Sequence, residues 1–312
     1  MISDRSNRKA PMSYAHPVLL TTTLVIVGAL AGCTSSDSDD PADATHSVSS
    51  PAPGPGVDGL PAVPPEAGHV HGMAVNPADG LLYLGTHSGT LILDGDTISQ
   101  VGDSTIDLMG FTAAGPDHFY ASGHPGPQDD LPNPVGLIES ADGGETWVPL
   151  SHLGESDFHT LGATGEQVYG FNGQLLVTTN GADWVPGAAD VAPVSLAVDP
   201  GDPDRVVATT EHGPAISEDG GTSFAHLDGA PLLLFVAWPS SEALWGVSPD
   251  GAIYASADAG GSWDARGQVD VPSAFTAGQD GSVVVATETQ ILTSGDRGQT
   301  FEPVAHLSAG GH

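Results

Sequence analysis

The stretch 68–89, GHVHGMAVNPADGLLYLGTHSG, places His69, His71 and His87 within one expected strand pair. Imidazole is the commonest side-chain ligand for transition metals and the only side chain whose ordinary pKa lies near neutrality. His69 and His71 are two residues apart, so in a strand both point to one side. Further along, His124 and His159 fall near Asp107, Met109 and Asp157 in segments of similar character. Imidazole with carboxylate suits zinc or copper, and a thioether shifts the preference toward copper(I). The expected cofactor is therefore a transition-metal ion, copper or zinc, or else a small polar ligand held by the same groups. His69, His71, His87, His124 and His159 are the candidate metal ligands, with Asp107, Met109 and Asp157 beside them.

These residues need elements that bring them together. Ser140-Ala-Asp142-Gly-Gly144-Glu-Thr146-Trp147 recurs at Ser217–Phe224, Ser256–Trp263 and Ser294–Phe301, and in shortened form at Thr178–Trp184. Each copy reads as a hairpin turn: the Asp accepts from turn amides, Gly takes positive φ, and the aromatic packs back on the sheet. The pattern S-x-D-x-G-x-[ST]-[WF] resembles the Asp-box, or bacterial neuraminidase repeat, of the sialidase-like and glycosyl hydrolase-like propellers. The resemblance implies an all-β fold, a β-propeller whose boxes join the outer strands of each blade, away from the central site.

Two β-branched, alternating runs precede each box. Innermost strands are expected at 69–75, 107–113, 157–163, 194–198, 232–237 and 273–277. Second strands are expected at 81–86, 118–123, 167–171, 205–210, 243–247 and 282–287. The result is six four-stranded blades over residues 67–308, with Asp94-Gly95-Asp96 making the outer turn of blade 1. Antiparallel pairing puts the start of each inner strand and the end of its neighbour on one rim. The ligating side chains then gather on the half of that rim formed by blades 1 to 3. The long connection 125–134, with Asp129 and Asp130, leaves the same rim and is expected to serve as a lid.

Ahead of the propeller, Arg5, Arg8 and Lys9 precede an apolar run at 18–30 that is too short for a stable membrane span, so residues 1–32 read as a signal peptide. Leu30-Ala-Gly-Cys33 resembles the lipobox of bacterial lipoproteins, which implies lipidation of Cys33 and a lipid anchor on the extracytoplasmic face of the cell membrane. Cys33 is the sole cysteine, so no internal disulfide competes for it. Residues 33–66 carry no apolar period and read as a disordered tether.

The chain has 39 acidic residues against six basic ones, a net charge of −33. Such a field repels nucleic acid and attracts cations. A sialidase needs an arginine cluster to clamp the substrate carboxylate. Beyond the leader there are only Arg205, Arg266 and Arg297, none at an expected channel position. Another glycoside hydrolase would require two facing carboxyl groups, and Asp107 with Asp157 is the one pair suitably placed. A protein-interaction or assembly platform is the remaining alternative, with Trp238 and Trp245 as surface or core residues of blade 5.

Overall fold

The computed structural model describes residues 58–307. The expected signal peptide, Cys33 and most of the expected tether lie outside the described residues. Six sheets, each of four consecutive antiparallel strands, form blades at 70–101, 107–151, 160–186, 195–226, 235–268 and 274–306. The inner strands are Val70–Val75, Asp107–Gly115, Thr160–Thr164, Ser195–Asp199, Phe235–Ser240 and Ala274–Ala277. Each packs beside the next, and the last beside the first, closing a ring. This is the six-bladed, four-stranded propeller expected from the repeat. Among the described residues no helix is long and apolar enough to cross a membrane.

There is no single core. Six apolar clusters lie one in each seam between adjacent blades. The second strands explain this division, because their alternating side chains face two different neighbours. Leu82 and Leu84 pack toward blade 6 while Tyr83 packs toward blade 2. Val283 and Val285 likewise pack toward blade 5, and Val284 and Ala286 toward blade 1. A strand buried on both faces reads as a continuous apolar run, as in Val283-Val-Val-Ala286.

The repeated turns tie third to fourth strands. In blade 2 the Ser140 hydroxyl donates to Asp142 Oδ1 at 2.8 Å and accepts from Gly144 N at 2.8 Å. Asp142 also accepts from Thr146 N at 2.9 Å and Thr146 Oγ1 at 2.6 Å. Asp219, Asp258 and Asp296 repeat the arrangement. In the shortened blade 3 copy, Asn180 Oδ1 accepts from Asp183 N at 2.8 Å. Donated hydrogen bonds favour the charged form, so Asp142, Asp219, Asp258 and Asp296 are all held below the usual carboxylate range, Asp142 chiefly by the Thr146 hydroxyl. The aromatic after each turn packs into the seam with the preceding blade: Trp147, Trp184, Phe224, Trp263 and Phe301. Gly144 has φ +92° and lies against Thr90 of blade 1, so its lack of a side chain serves both the turn and the seam.

One boundary differs from the sequence expectation. The tether was expected to run to Glu66, yet Ala62 bridges His306 in parallel and Val63 is buried in the seam between blades 6 and 1. Val63 N donates to His306 O at 2.8 Å, His306 N donates to Pro61 O at 2.9 Å, and His306 Nε2 lies 2.8 Å from Asp58. A single apolar side chain and an unpaired edge on the last strand are enough to order this short segment, and composition averaged over the tether hides that.

Candidate functional site

Gly68 and Pro65–Ala67 deliver the chain to blade 1 through one 3-10 turn. The pairing of the first two strands then slips: Val70 faces Thr86 and Gly72 faces Gly85, leaving His71 as an extra, bulged residue. A bulge re-aims a side chain, and it turns His71 toward the channel that the inner strands enclose, a cavity of about 630 Å³. His87, which follows the second strand, lies over Gly68. A Cβ on Gly68 would stand 2.5 Å from the His87 ring, so only glycine leaves room for the imidazole. Asp107 opens the inner strand of blade 2 and reaches back across the seam.

Three atoms meet there. His87 Nδ1 is 2.9 Å and His71 Nε2 is 3.8 Å from Asp107 Oδ1, and His71 Nε2 is 3.5 Å from His87 Nδ1. The two rings stand edge to face, with planes 87° apart. Asp107 Oδ1 is shielded from solvent and accepts no hydrogen bond, although His87 Nδ1 is so close; the approach is not that of a donated N–H. Burial, followed by the neighbouring His87, pushes His71 down to about 4, so it is neutral at pH 7 and its Nε2 faces Asp107 without ion pairing. A triangle with sides of 2.9, 3.5 and 3.8 Å has a circumscribed radius of about 2.0 Å, so one point lies at that distance from all three atoms. Zinc binds imidazole nitrogen at about 2.0–2.1 Å and carboxylate oxygen at about 2.0–2.2 Å. The desolvated, orphaned oxygen and these separations fit a transition-metal ion.

Three of the five candidate histidines stand outside this set. His124 Nε2 is 3.3 Å and His159 Nε2 is 2.7 Å from Asp157 Oδ2. His69 is exposed, with its ring 5.5 Å from that of His87 and 6.3 Å from that of His71. Met109 is the bulged residue of blade 2, at the register position that His71 holds in blade 1. Asp157 and His159 lie just ahead of the blade 3 inner strand, which begins at Thr160, and not within it.

The connection 125–134 is pinned. Asp129 Oδ2 accepts from Thr105 N, Thr105 Oγ1 and Gly126 N at 3.1–3.3 Å, and Asn133 Oδ1 meets His124 Nδ1 at 2.7 Å. It buttresses the rim in place of the lid expected from its length. Sequence reasoning did not single out Gly68 or Asn133. The signal for Gly68 was its position directly ahead of His69, and Asn133 carried none beyond preceding a proline.

Three of the other described histidines lie away from the channel beside neighbours of their own. His118 pairs with Glu139 at 2.7 Å, His152 packs edge-on to Trp184, and His212 is 72% exposed beside Glu211. Among the described residues no arginine lines the channel. Arg205 pairs with the buried Asp199 at 2.8 Å and lies over Trp238. Trp238 and Trp245 are both core residues.

No family model matches the chain, and no curated protein is similar to it at a significant level. Many solved structures share its architecture. A gluconolactonase from Xanthomonas campestris aligns with a TM-score of 0.54 at 14% identity, covering 70% of this chain and 83% of that one. The extracellular domain of a putative hybrid two-component system from B. thetaiotaomicron aligns with a TM-score of 0.52 at 10% identity, covering 78% of this chain. This chain spans 34% of that protein's length. A xyloglucanase from Xanthomonas campestris has a TM-score of 0.49 at 18% identity, covering 76% of this chain and 45% of that one. At these identities the likeness establishes the β-propeller fold alone.

Proposed function

We propose that the protein is a lipid-anchored, extracytoplasmic propeller of the Asp-box kind that binds a transition-metal ion, copper or zinc, at the rim of its central channel. His71, His87 and Asp107 are the ligands, with His69 flanking them. The observation that carries this reading is the convergence of three lone-pair-bearing atoms about a point roughly 2.0 Å from each, at separations of 2.9–3.8 Å, around a carboxylate oxygen that has no other partner. His71 is neutral at pH 7 and ready to ligate. Three protein ligands leave a further coordination position for water or a small polar ligand, as at exchangeable and catalytic sites. The net charge of −33 concentrates cations near such a mouth. Lipid anchoring rests on Cys33 and its preceding apolar run, and the membrane is the partner it implies.

A glycoside hydrolase built on Asp107 and Asp157 is less well supported, because each carboxylate is engaged by imidazoles of its own. The test is elemental analysis of untagged protein purified without chelator, followed by titration with zinc(II) and with copper(I) under anaerobic conditions. Near-stoichiometric metal, lost in His71→Ala and His87→Ala, is expected. Less than about a tenth of an equivalent with no uptake on titration overturns the reading, and hydrolysis of a sugar panel that is lost in Asp107→Asn would replace it.

A further inference from the structure

Each of the six inner strands pairs with its second strand on one side only. The other edge turns to the hub, so free backbone N–H and C=O groups wall the channel all the way round. Phe111, Leu161, Phe235 and Phe275 line it between these edges. Among the described residues, the ionisable groups of the wall are confined to its ends, His71 and His159 at the mouth beside the metal ligands and Asp280 at the far one. The cavity of about 630 Å³ falls within the span of about 300–1,000 Å³ that small-molecule sites occupy. His71 belongs both to the channel wall and to the metal-ligand set. We propose that the channel binds an uncharged, elongated small molecule, one end of which supplies a donor to the metal while its body carries hydroxyl or carbonyl groups into the hub. The inference rests on the metal reading of His71, His87 and Asp107 and adds the class of ligand that takes the open coordination position.

Two hydroxyls set where that body is held. Thr112 of blade 2 and Thr276 of blade 6 both line the channel. They take the place that Ala74 takes in blade 1, since Ala74 faces Tyr83, Thr112 faces Tyr120 and Thr276 faces Val284 across the first strand pair of each blade. Thr276 is only 8% exposed, and neither hydroxyl has a hydrogen-bond partner within the protein. Other polar side chains of the wall are engaged: Ser195 Oγ accepts from Val236 N at 3.3 Å, and Asn76 Nδ2 donates to Asp117 Oδ1 at 2.8 Å. A buried hydroxyl without a partner is costly, and one that opens onto a cavity is available to whatever fills it. Ala74 lies three residues beyond His71, so at about 3.3 Å per residue the hydroxyl layer stands roughly 10 Å along the hub from the imidazole.

The chemistry of the ligand follows from that wall. An ionised body would lose its hydration against groups that carry no counter-charge, which selects a neutral one. Free strand edges and two hydroxyls offer both donors and acceptors, which suits hydroxyl and carbonyl groups, and the aromatic rings suit an apolar frame between them. The fitting molecule thus has a metal-binding head and a neutral hydrogen-bonding group about 10 Å away.

The test uses the untagged full chain loaded with zinc(II), whose bound equivalents are counted first. Calorimetric titration then compares three probes that share one metal-binding head: acetohydroxamic acid, which is the head alone, ω-hydroxyoctanohydroxamic acid, and its ω-carboxylate counterpart. Salt high enough to screen the acidic field is present throughout. The hydroxyl-tailed probe should bind at least about tenfold more tightly than the head alone and than the carboxylate. Thr112→Val/Thr276→Val, which keeps the shape and removes only the hydroxyls, should cut that preference about tenfold and leave zinc uptake unchanged. Equal affinity for the head and the hydroxyl-tailed probe, or a preference that Thr112→Val/Thr276→Val leaves intact, overturns the channel inference while the zinc count spares the metal site. A carboxylate tail held as tightly as the hydroxyl one overturns the uncharged class. Absence of zinc uptake removes the metal reading itself, and with it the inference that rests on it.

Discussion

Phe158 separates Asp157 from His159 and fastens both to the fold, so Phe158→Ala is a demanding test of how the rim is held. The ring is fully buried in the seam between blades 2 and 3. It stacks on Trp184 with centroids 5.1 Å apart and planes 15° apart, and meets His152 edge-on at 5.8 Å. Gly170 lies beneath it, where a Cβ would stand only 2.8 Å from the ring, so the pocket is shaped to this side chain. A phenylalanine removes on the order of 200 Å² from water, worth about 5 kcal/mol at 25 cal/mol per Å². Alanine keeps one methyl group of that and the seam collapses partly, which leaves a loss of about 3–5 kcal/mol. For a domain of this size the unfolding midpoint should fall by about 6–20 °C. Differential scanning calorimetry measures the shift, and near-ultraviolet circular dichroism reports the loosened Trp184. Phe158→Leu, which nearly conserves volume, should lose less than half as much. A Phe158→Ala midpoint within about 2 °C of the native one, with an unaltered near-ultraviolet spectrum, would show that the seam does not depend on this ring and would refute the packing argument.

Gly68→Ala places a methyl group 2.5 Å from His87 at φ +66°, so the imidazole must move. Zinc affinity measured by chelator competition should weaken at least about tenfold, the loss typical of a displaced supporting residue, and equal affinity would contradict the assigned role of Gly68. Asp219 and Asp258 have folded pKa values below their unfolded ones, so their contribution to stability is complete above about pH 4 and fades as the pH falls through the folded values. The double variant Asp219→Asn/Asp258→Asn should therefore melt lower than the native protein at pH 7, and the gap should close toward pH 2. A gap that widens on acidification would reverse the sign and discard the turn model. Val63→Ala deletes two buried methyl groups at the seam between blades 6 and 1, which costs about 1.5 kcal/mol; chemical denaturation that shows no change in midpoint would mean that the segment 61–63 does not brace the ring.

Much of the architecture could be read from the chain because each blade is a local unit. The turn residues recur with their own hydrogen-bond logic, and the doubly buried second strands announce themselves as apolar runs. The second strands expected at 167–171 and 243–247 match Gln167–Phe171 and Ala243–Val247 residue for residue. The inner strands were less sharply bounded: blade 3 begins at Thr160, because the paired Asp157 and His159 stand free of the ladder and anchor through Phe158. Which histidines meet depends on how far each carboxylate reaches across a seam, and no periodicity encodes that. Asp107 reaches back to His87 and Asp157 to His124, so one expected rim divides into two groups. The role of Asn133 was invisible for the same reason, since its contact with His124 follows from loop closure and not from spacing in a strand.

The short segment that lies along the last strand before entering blade 1 changes what the ends of the domain mean. At every other junction the chain leaves the outer edge of one blade and crosses to the hub side of the next; residues 61–70 reproduce that crossing at the place where the ring would otherwise be unstitched. Mechanically the wheel then has no privileged gap. A pull applied through residue 58 is borne by the pairing with His306, on the outer strand of blade 6, before it reaches blade 1. A rewired chain that joins 307 to 58 and opens instead at 102–106 should close into the same wheel.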